Sequence, residues 1–184
     1  TVSYETEPGS APNKRDLVLK VDEKQTGEFS FGGGVSAVEN WLGFAELSQN
    51  NFDMLKWPTF TGGGQKASIK GRWGAVSRNV DVNFLEPYIF NKPYSLGVHG
   101  YRWEEDVDSL DFATERLGAS LTLGKKITDA LETSVSYGLE NVKMKDIEDD
   151  AAPDVVNTND DAWLSKVKWS IGYDRRDSKL TPTK

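Results

Sequence analysis

The amino-acid sequence predicts an all-β fold, an antiparallel transmembrane β-barrel, and three observations lead there. Segments of about ten residues alternate apolar with polar or small side chains, the period-2 pattern of a strand with two unlike faces. Aromatic residues sit near the ends of the apolar faces, at Trp41, Trp73, Tyr94, Trp163 and Tyr173, while the opposite faces mix lysine, arginine, serine and glycine. The apolar faces also carry many alanine, glycine and threonine positions, whereas a soluble sandwich buries dense faces of large aliphatic residues from two sheets. A mean hydropathy of −0.56 and the lack of a long apolar run exclude membrane-spanning helices only, because a barrel strand needs just one apolar face.

Taken in order, the chain opens with Val2-Ser3-Tyr4-Glu5 and Leu17-Val18-Leu19-Lys20-Val21 on either side of the turn Pro8-Gly9-Ser10-Ala11-Pro12-Asn13, a hairpin signature. Two strands alone are not stable in water, so this hairpin is expected to belong to a domain whose other elements precede Thr1. The first barrel strand follows, from Gln25 to Ser36, with Phe29, Phe31, Gly33 and Val35 on one face and Glu28, Ser30, Gly32, Gly34 and Ser36 on the other. Gly32-Gly33-Gly34 should make it pair weakly, since glycine packs poorly and loses the most entropy on ordering. A bulge or barrel corner is the structural alternative for the same three residues.

Trp41 to Gln49 reads as the second strand, with imperfect alternation, followed by the connection Asp53 to Gly64 with Trp57, Pro58 and three glycines. In the third strand Ala67, Ile69, Gly71 and Trp73 oppose Lys66, Ser68, Lys70 and Arg72. A tight Gly74-Ala75 hairpin leads into the fourth, where Val80, Val82 and Phe84 oppose Asn79, Asp81 and Asn83 and Pro87 ends the ladder. The fifth sets Tyr94, Leu96 and Val98 against Ser95, Gly97 and His99 and stops at a polar stretch from Glu104 to Asp111. The sixth sets Leu117, Ala119, Leu121 and Leu123 against Arg116, Gly118, Ser120 and Thr122. The seventh sets Leu131, Thr133, Val135, Tyr137 and Leu139 against Ser134, Ser136 and Gly138. The eighth, Trp163 to Tyr173, sets Val167, Trp169, Ile171 and Tyr173 against Lys166, Lys168, Ser170 and Gly172. Lys66, Lys70, Arg72, Lys166 and Lys168 would line the lumen.

A net charge of −7 and a pI near 4.8, with no basic stretch, argue against a nucleic-acid partner. No cysteine means no disulfide and no thiolate metal site, and the single histidine, His99, rules out a histidine-rich one. Hydrolytic catalysis would have to run through His99 with a serine such as Ser95, although no motif positions a nucleophile. The stretch Asn141 to Asp161 holds Asp146, Glu148, Asp149, Asp150, Asp154, Asp160 and Asp161. Its spacing does not match an alternating-ligand calcium loop, so it reads as a hydrated loop, and no metal or cofactor is expected. If the first barrel strand runs outward, the two long acidic connections fall outside and only Asp53 to Gly64 breaks the rule of short periplasmic turns.

Several short segments, in order and at matching spacing, resemble the BamA-like outer-membrane assembly factors, a family of barrels preceded by polypeptide-transport-associated (POTRA) domains. Leu17-Val18-Leu19-Lys20-Val21-Asp22-Glu23-Lys24-Gln25-Thr26-Gly27 is similar to the family's last POTRA strand running into the first barrel strand. Gly62-Gly63-Gly64-Gln65 resembles the glycine-rich turn before strand three, Phe84-Leu85-Glu86-Pro87 the motif closing strand four. Tyr173-Asp174-Arg175-Arg176-Asp177 followed by Pro182-Thr183 resembles the motif after strand eight.

The resemblance implies residues 1–24 as the end of the last POTRA domain and residues 25–184 as about the first eight strands of a sixteen-stranded barrel. The family's loop-six Val-Arg-Gly-Phe-type motif and most of the POTRA array are absent, and the start at Thr1 without methionine or signal pattern fits a processed or excised piece. It further implies a non-enzymatic protein of a Gram-negative-type outer membrane, POTRA side in the periplasm, that folds and inserts nascent outer-membrane proteins. Accessory lipoproteins and the lipid bilayer would be its other partners. The pairing edge for client strands would be Gly27, Glu28, Phe29, Ser30, Phe31, Gly32, Gly33, Gly34 and Val35. Gly62, Gly63, Gly64, Gln65, Phe84, Glu86, Pro87, Asp174, Arg176, Asp177, Pro182 and Thr183 would be structural; Arg175 and Asp177 would order a periplasmic turn. Two other readings stand beside this one: a two-partner-secretion transporter of the same superfamily, and an eight-stranded structural barrel complete as given.

Overall fold

A computed structural model describes residues 2–9, 14–21, 25–106, 113–145 and 161–175. Ten strands are present among them: β1 (Val2–Pro8), β2 (Arg15–Val21), β3 (Gly27–Ser36), β4 (Asn40–Phe52), β5 (Gln65–Gly74), β6 (Ser77–Glu86), β7 (Tyr94–Glu105), β8 (Ala113–Lys126), β9 (Leu131–Lys145) and β10 (Ala162–Tyr173). β1 and β2 form their own two-stranded antiparallel sheet, and the other eight form one sheet in chain order with β3 and β10 at its edges. Every neighbouring pair is antiparallel. This is the all-β antiparallel architecture expected, an open sheet within these residues.

Register follows from alternation, because a one-residue slip would send each strand's apolar set to the wrong face. One row across the sheet reads Phe29, Leu47, Ile69, Val82, Gly100, Ala119 and Leu139. The row one residue along reads Glu28, Ser48, Ser68, Asn83, His99, Ser120, Gly138 and Lys166. The first row lies on the apolar face and the second on the polar face, so the predicted face assignments hold from β5 through β10.

No large side chain among the described residues is fully buried, and the apolar face stays exposed from Phe29 across to Tyr173. Among the described residues there is no internal core of the kind a sandwich requires. Trp41, Trp73 and Trp163 stand at the end of the apolar face where β3 finishes, Tyr94 and Tyr173 at the end where β3 begins. We call these the exit and entry ends.

Several predicted bounds need correction. β4 extends to Phe52 with an irregularity between Gln49 and Phe52, β7 includes Glu104 and Glu105, and β9 continues from the predicted end at Leu139 to Lys145, through residues read as acidic loop. Opposite charges facing one another carry the β7, β8 and β9 ladders past the apolar band. Glu115 of β8 pairs with Lys145 of β9 and, at 2.9 Å, with Arg102 of β7, which also pairs with Glu104. Cross-strand ion pairs of this kind stabilise a ladder that single-strand patterning reads as solvated loop. The acidic stretch read as a hydrated loop lies outside the described residues from 146 to 160, as does the turn centre at 10–13.

Candidate functional site

The predicted pairing residues Gly27 to Val35 all lie in β3, at the edge of the sheet. Hydrogen-bond parity settles which of their backbone groups are free. The Asn50 N–H donates to the Thr26 carbonyl at 3.0 Å, making Thr26 and Asn50 a directly bonded pair. In an antiparallel ladder bonded and non-bonded pairs alternate, so Glu28, Ser30, Gly32, Gly34 and Ser36 spend their N–H and C=O groups on β4. Gly27, Phe29, Phe31, Gly33 and Val35 therefore turn theirs to the open edge. The five residues on the apolar face and the five with free backbone groups are the same five.

The three glycines differ. Gly33 faces Gly43 across the ladder, so the apolar face lacks any side chain at that pair. A Cβ on Gly32 would lie 2.8 Å from the Phe44 ring, which leans across from β4 and covers the polar-face side of the glycine. Gly34 has open space where a Cβ would go. The bulge alternative fails here, since β3 and β4 pair without interruption from Gly27 to Ser36. Among the described residues no side-chain hydrogen bond or ion pair joins β3 to β4, which leaves the backbone ladder and apolar contacts to hold it.

At the exit end Glu39, in the turn between β3 and β4, fastens that hairpin to the next one. Its carboxylate accepts the Val76 and Ser77 N–H groups, both at 3.2 Å, and the Ser77 hydroxyl. The Ser77 hydrogen bond, then those backbone bonds and the Arg72 charge, hold its pKa below the ordinary 4.5 against the opposing effect of burial. Nothing in the periodicity singled out Glu39; its role depends on two turns meeting.

The family-motif residues of β5 and β6 do come together, at the entry end. Gly62 and Gly64 sit at φ of +105° and +72°, and a Cβ on Gly63 would lie 2.8 Å from the Phe52 carbonyl oxygen, so all three positions demand glycine. The Gly64 N–H donates to Asn51 Oδ1 at 2.8 Å. Gln65 accepts the Met54 N–H at 3.0 Å and donates to Glu86 at 2.8 Å, and Glu86 accepts the Tyr88 N–H beyond Pro87 at 3.0 Å. Phe84 packs edge-on against Phe52 at 6.3 Å between ring centroids. Asp174 donates its N–H to the Ala130 carbonyl at 2.8 Å. Arg176, Asp177, Pro182 and Thr183 lie outside the described residues, so the Arg175–Asp177 pairing does as well.

The polar face is cross-linked by charge. Lys70 pairs with Glu46 at 3.1 Å, His99 Nε2 with Asp81 at 3.2 Å, and Lys166 with Glu140 at 2.6 Å. His99 also stacks on Tyr101. Ser95 and His99 stand four residues apart on one strand, about 13 Å at strand rise, so the structure does not bring this serine to this histidine. No cluster of three or more potential metal ligands occurs among the described residues.

This geometry has known counterparts. The outer membrane protein assembly factor BamA of Nitratidesulfovibrio vulgaris is 24% identical over 183 residues, an alignment that takes in all of this chain and 22% of that protein. The crystal structure of BamA from Haemophilus ducreyi lacking POTRA domains 1–3 superposes with a TM-score of 0.62 at 22% identity, covering all of this chain and 36% of that one. The chain thus spans about a fifth of the curated relative and about a third of the solved one. The family model described as the Omp85 superfamily domain matches residues 60–184, from the glycine-rich turn through β5 to β10 and beyond. An open antiparallel sheet with one apolar and one charged face, in the arrangement of a BamA barrel, belongs to a chain that is a member of the Omp85 superfamily.

Proposed function

We propose that residues 25–184 are the N-terminal part of an outer-membrane barrel that folds and inserts other barrel proteins, and that β3 is the edge on which client strands pair. In this reading the apolar face meets lipid, the polar face lines the lumen, the entry end is periplasmic and residues 1–24 close the last POTRA domain. Exposed Tyr4, Leu17 and Leu19, which share one face of the hairpin, fit a sheet completed by the rest of such a domain. On β10, Trp163 to Tyr173 spans about 33 Å, which at the roughly 45° tilt of barrel strands is about 23 Å, close to the apolar band of such barrels. Nascent outer-membrane proteins are the clients, accessory lipoproteins further partners, and no step is enzymatic.

The observation that carries the reading is that β3 presents five free backbone positions, on the residues facing lipid, from the strand least tied to its neighbour. Augmentation by backbone pairing suits many clients because every strand offers the same donors and acceptors. The test uses parity. In the full-length protein, Phe29→Pro removes an N–H from the free edge and none from the β3–β4 ladder, and edge strands tolerate proline. Client insertion into liposomes should fall by up to about tenfold, the worth of a hydrogen bond or a little more, while Phe29→Leu inserts normally. Normal insertion by a folded Phe29→Pro protein would end the edge-pairing reading.

A further inference from the structure

The connection Asp53 to Gly64 is longer than a turn at this end of a barrel needs to be, and it is not loose. Phe60 donates its N–H to the Lys56 carbonyl at 2.7 Å, the Asp53 N–H reaches the Phe60 carbonyl at 3.0 Å, and the Gly62 N–H reaches Asn51 at 2.9 Å. A bridge between Phe52 and Thr61 closes its base. These bonds fix where its aromatic side chains go. Phe60 stacks on Phe52 at 5.7 Å and 13°, and Trp57 meets Phe60 edge-on at 5.2 Å. Phe52 in turn packs on Phe84, whose register neighbours Ala67 and Val98 lie on the apolar face. The stack of Phe84, Phe52, Phe60 and Trp57 therefore leaves the sheet on its apolar side, at the end that also carries Tyr94 and Tyr173.

Beyond the stack the loop tip is apolar and uncovered. Leu55 is 90% exposed and Trp57 79%, with Met54 beside them and exposed Lys56 between them. An apolar tip held rigidly in water gains nothing from that exposure. Tryptophan beside a cation is the composition that settles at the headgroup level of a bilayer, with its ring among acyl chains and its N–H toward water. We propose that Asp53 to Gly64 is an interfacial anchor, seated in the periplasmic leaflet beside β3, with Leu55 and Trp57 among phospholipid chains and Lys56 at the phosphates. This rests on the apolar face being the bilayer face. Phospholipid is the occupant because the stack continues that face without a break and because the charge at the tip is positive. The anchor would fix the lipid depth of the β4–β5 end next to the pairing edge.

The chain has no cysteine, so one introduced cysteine gives one label position within it. In the full-length protein reconstituted in liposomes, Leu55→Cys is to carry an environment-sensitive fluorophore, with Val135→Cys on the apolar face and Asp129→Cys in the β8–β9 turn as references. The proposal expects quenching at position 55 by lipids spin-labelled near the headgroup, and several-fold less quenching by aqueous iodide than at position 129. Iodide access at position 55 equal to that at 129, with position 135 still quenched by lipid, overturns the anchor alone. Protection from iodide without lipid quenching means a protein segment covers the tip and overturns it too. If position 135 is itself open to iodide, the bilayer-facing reading fails and the anchor falls with it.

Discussion

The two edges of the sheet, β3 and β10, do the same geometric job and are built differently. β10 is fastened to β9 by side chains as well as by its ladder. Lys166 pairs with Glu140 at 2.6 Å, the Trp169 indole N–H donates to Thr133 at 2.9 Å, Ser165 donates to Tyr137 at 3.1 Å, and the Thr133 hydroxyl donates to the Ser170 carbonyl at 3.1 Å. β3 has none of these ties to β4, and a Gly33–Gly43 pair interrupts its apolar face. An edge meant to stay joined to its neighbours gains from such ties; an edge that must exchange partners is better held by backbone alone. If β3 is the pairing edge proposed above, the contrast teaches that its lability would be a property of its whole interface with β4, more than of its three glycines.

The most disruptive way to attack the contrast is at β10. Glu140 is only 6% exposed, so Lys166→Met would leave its charge nearly buried with the Tyr101 hydrogen bond but without its ion-pair partner. Breaking such a pair costs about 3–5 kcal/mol when both partners are buried, and about half that here because Lys166 is largely exposed. Hydrogen exchange should show β10 opening at a free energy near that of β3 with β3 unchanged; equal protection in variant and wild type would remove the pair from the account.

Next in size, Gly34→Val should stiffen β3 by about 1 kcal/mol, since valine suits a strand and the Cβ meets open space. Exchange at the β4-bonded amides of Ser30, Gly32 and Ser36 should slow and client insertion drop. Gly32→Val is a poorer probe, because the Phe44 ring must move first, and its effect should be smaller or reversed in sign. Faster exchange in Gly34→Val would contradict the view that glycine keeps this edge soft.

A smaller effect, about 1 kcal/mol or less, is expected from Trp169→Phe, which keeps the ring and deletes the bond to Thr133. Thermal unfolding followed by gel mobility would read it.

The smallest concerns the far end of β3. Glu39 has a folded pKa below its unfolded one, so its contribution is present in full above the ordinary 4.5 and is lost as pH falls through the lower folded value. Glu39→Gln should therefore flatten the acid limb of stability and lower neutral-pH stability by the same small amount that the wild type loses on acidification. An unchanged acid limb would mean the Ser77 contact is not kept in solution.

Strand faces were legible because period 2 is a local property: Lys70 and Ile69 fall on opposite faces whichever strands lie beside them. The glycine-rich turn was legible as a turn, and each of its glycines has a separate steric reason. Strand ends at Glu104 and Lys145 were misread, because a charge is scored as loop until its cross-strand partner is known. Phe44 over Gly32, and Glu39 beneath Ser77, join residues 12 and 38 positions apart and leave no periodic trace.

By itself the sequence determined the alternating faces, the aromatic rims, the turn chemistry at Gly62 to Gly64 and the absence of cysteine chemistry. Each of these is set by a residue and its near neighbours. Tertiary structure alone decided which β3 backbone groups are free, since that depends on the bonding parity with β4, and which edge is tied by side chains. It also decided that the Asp53 to Gly64 loop turns to the apolar side, because Phe52 finds Phe84 only once β4, β5 and β6 are paired.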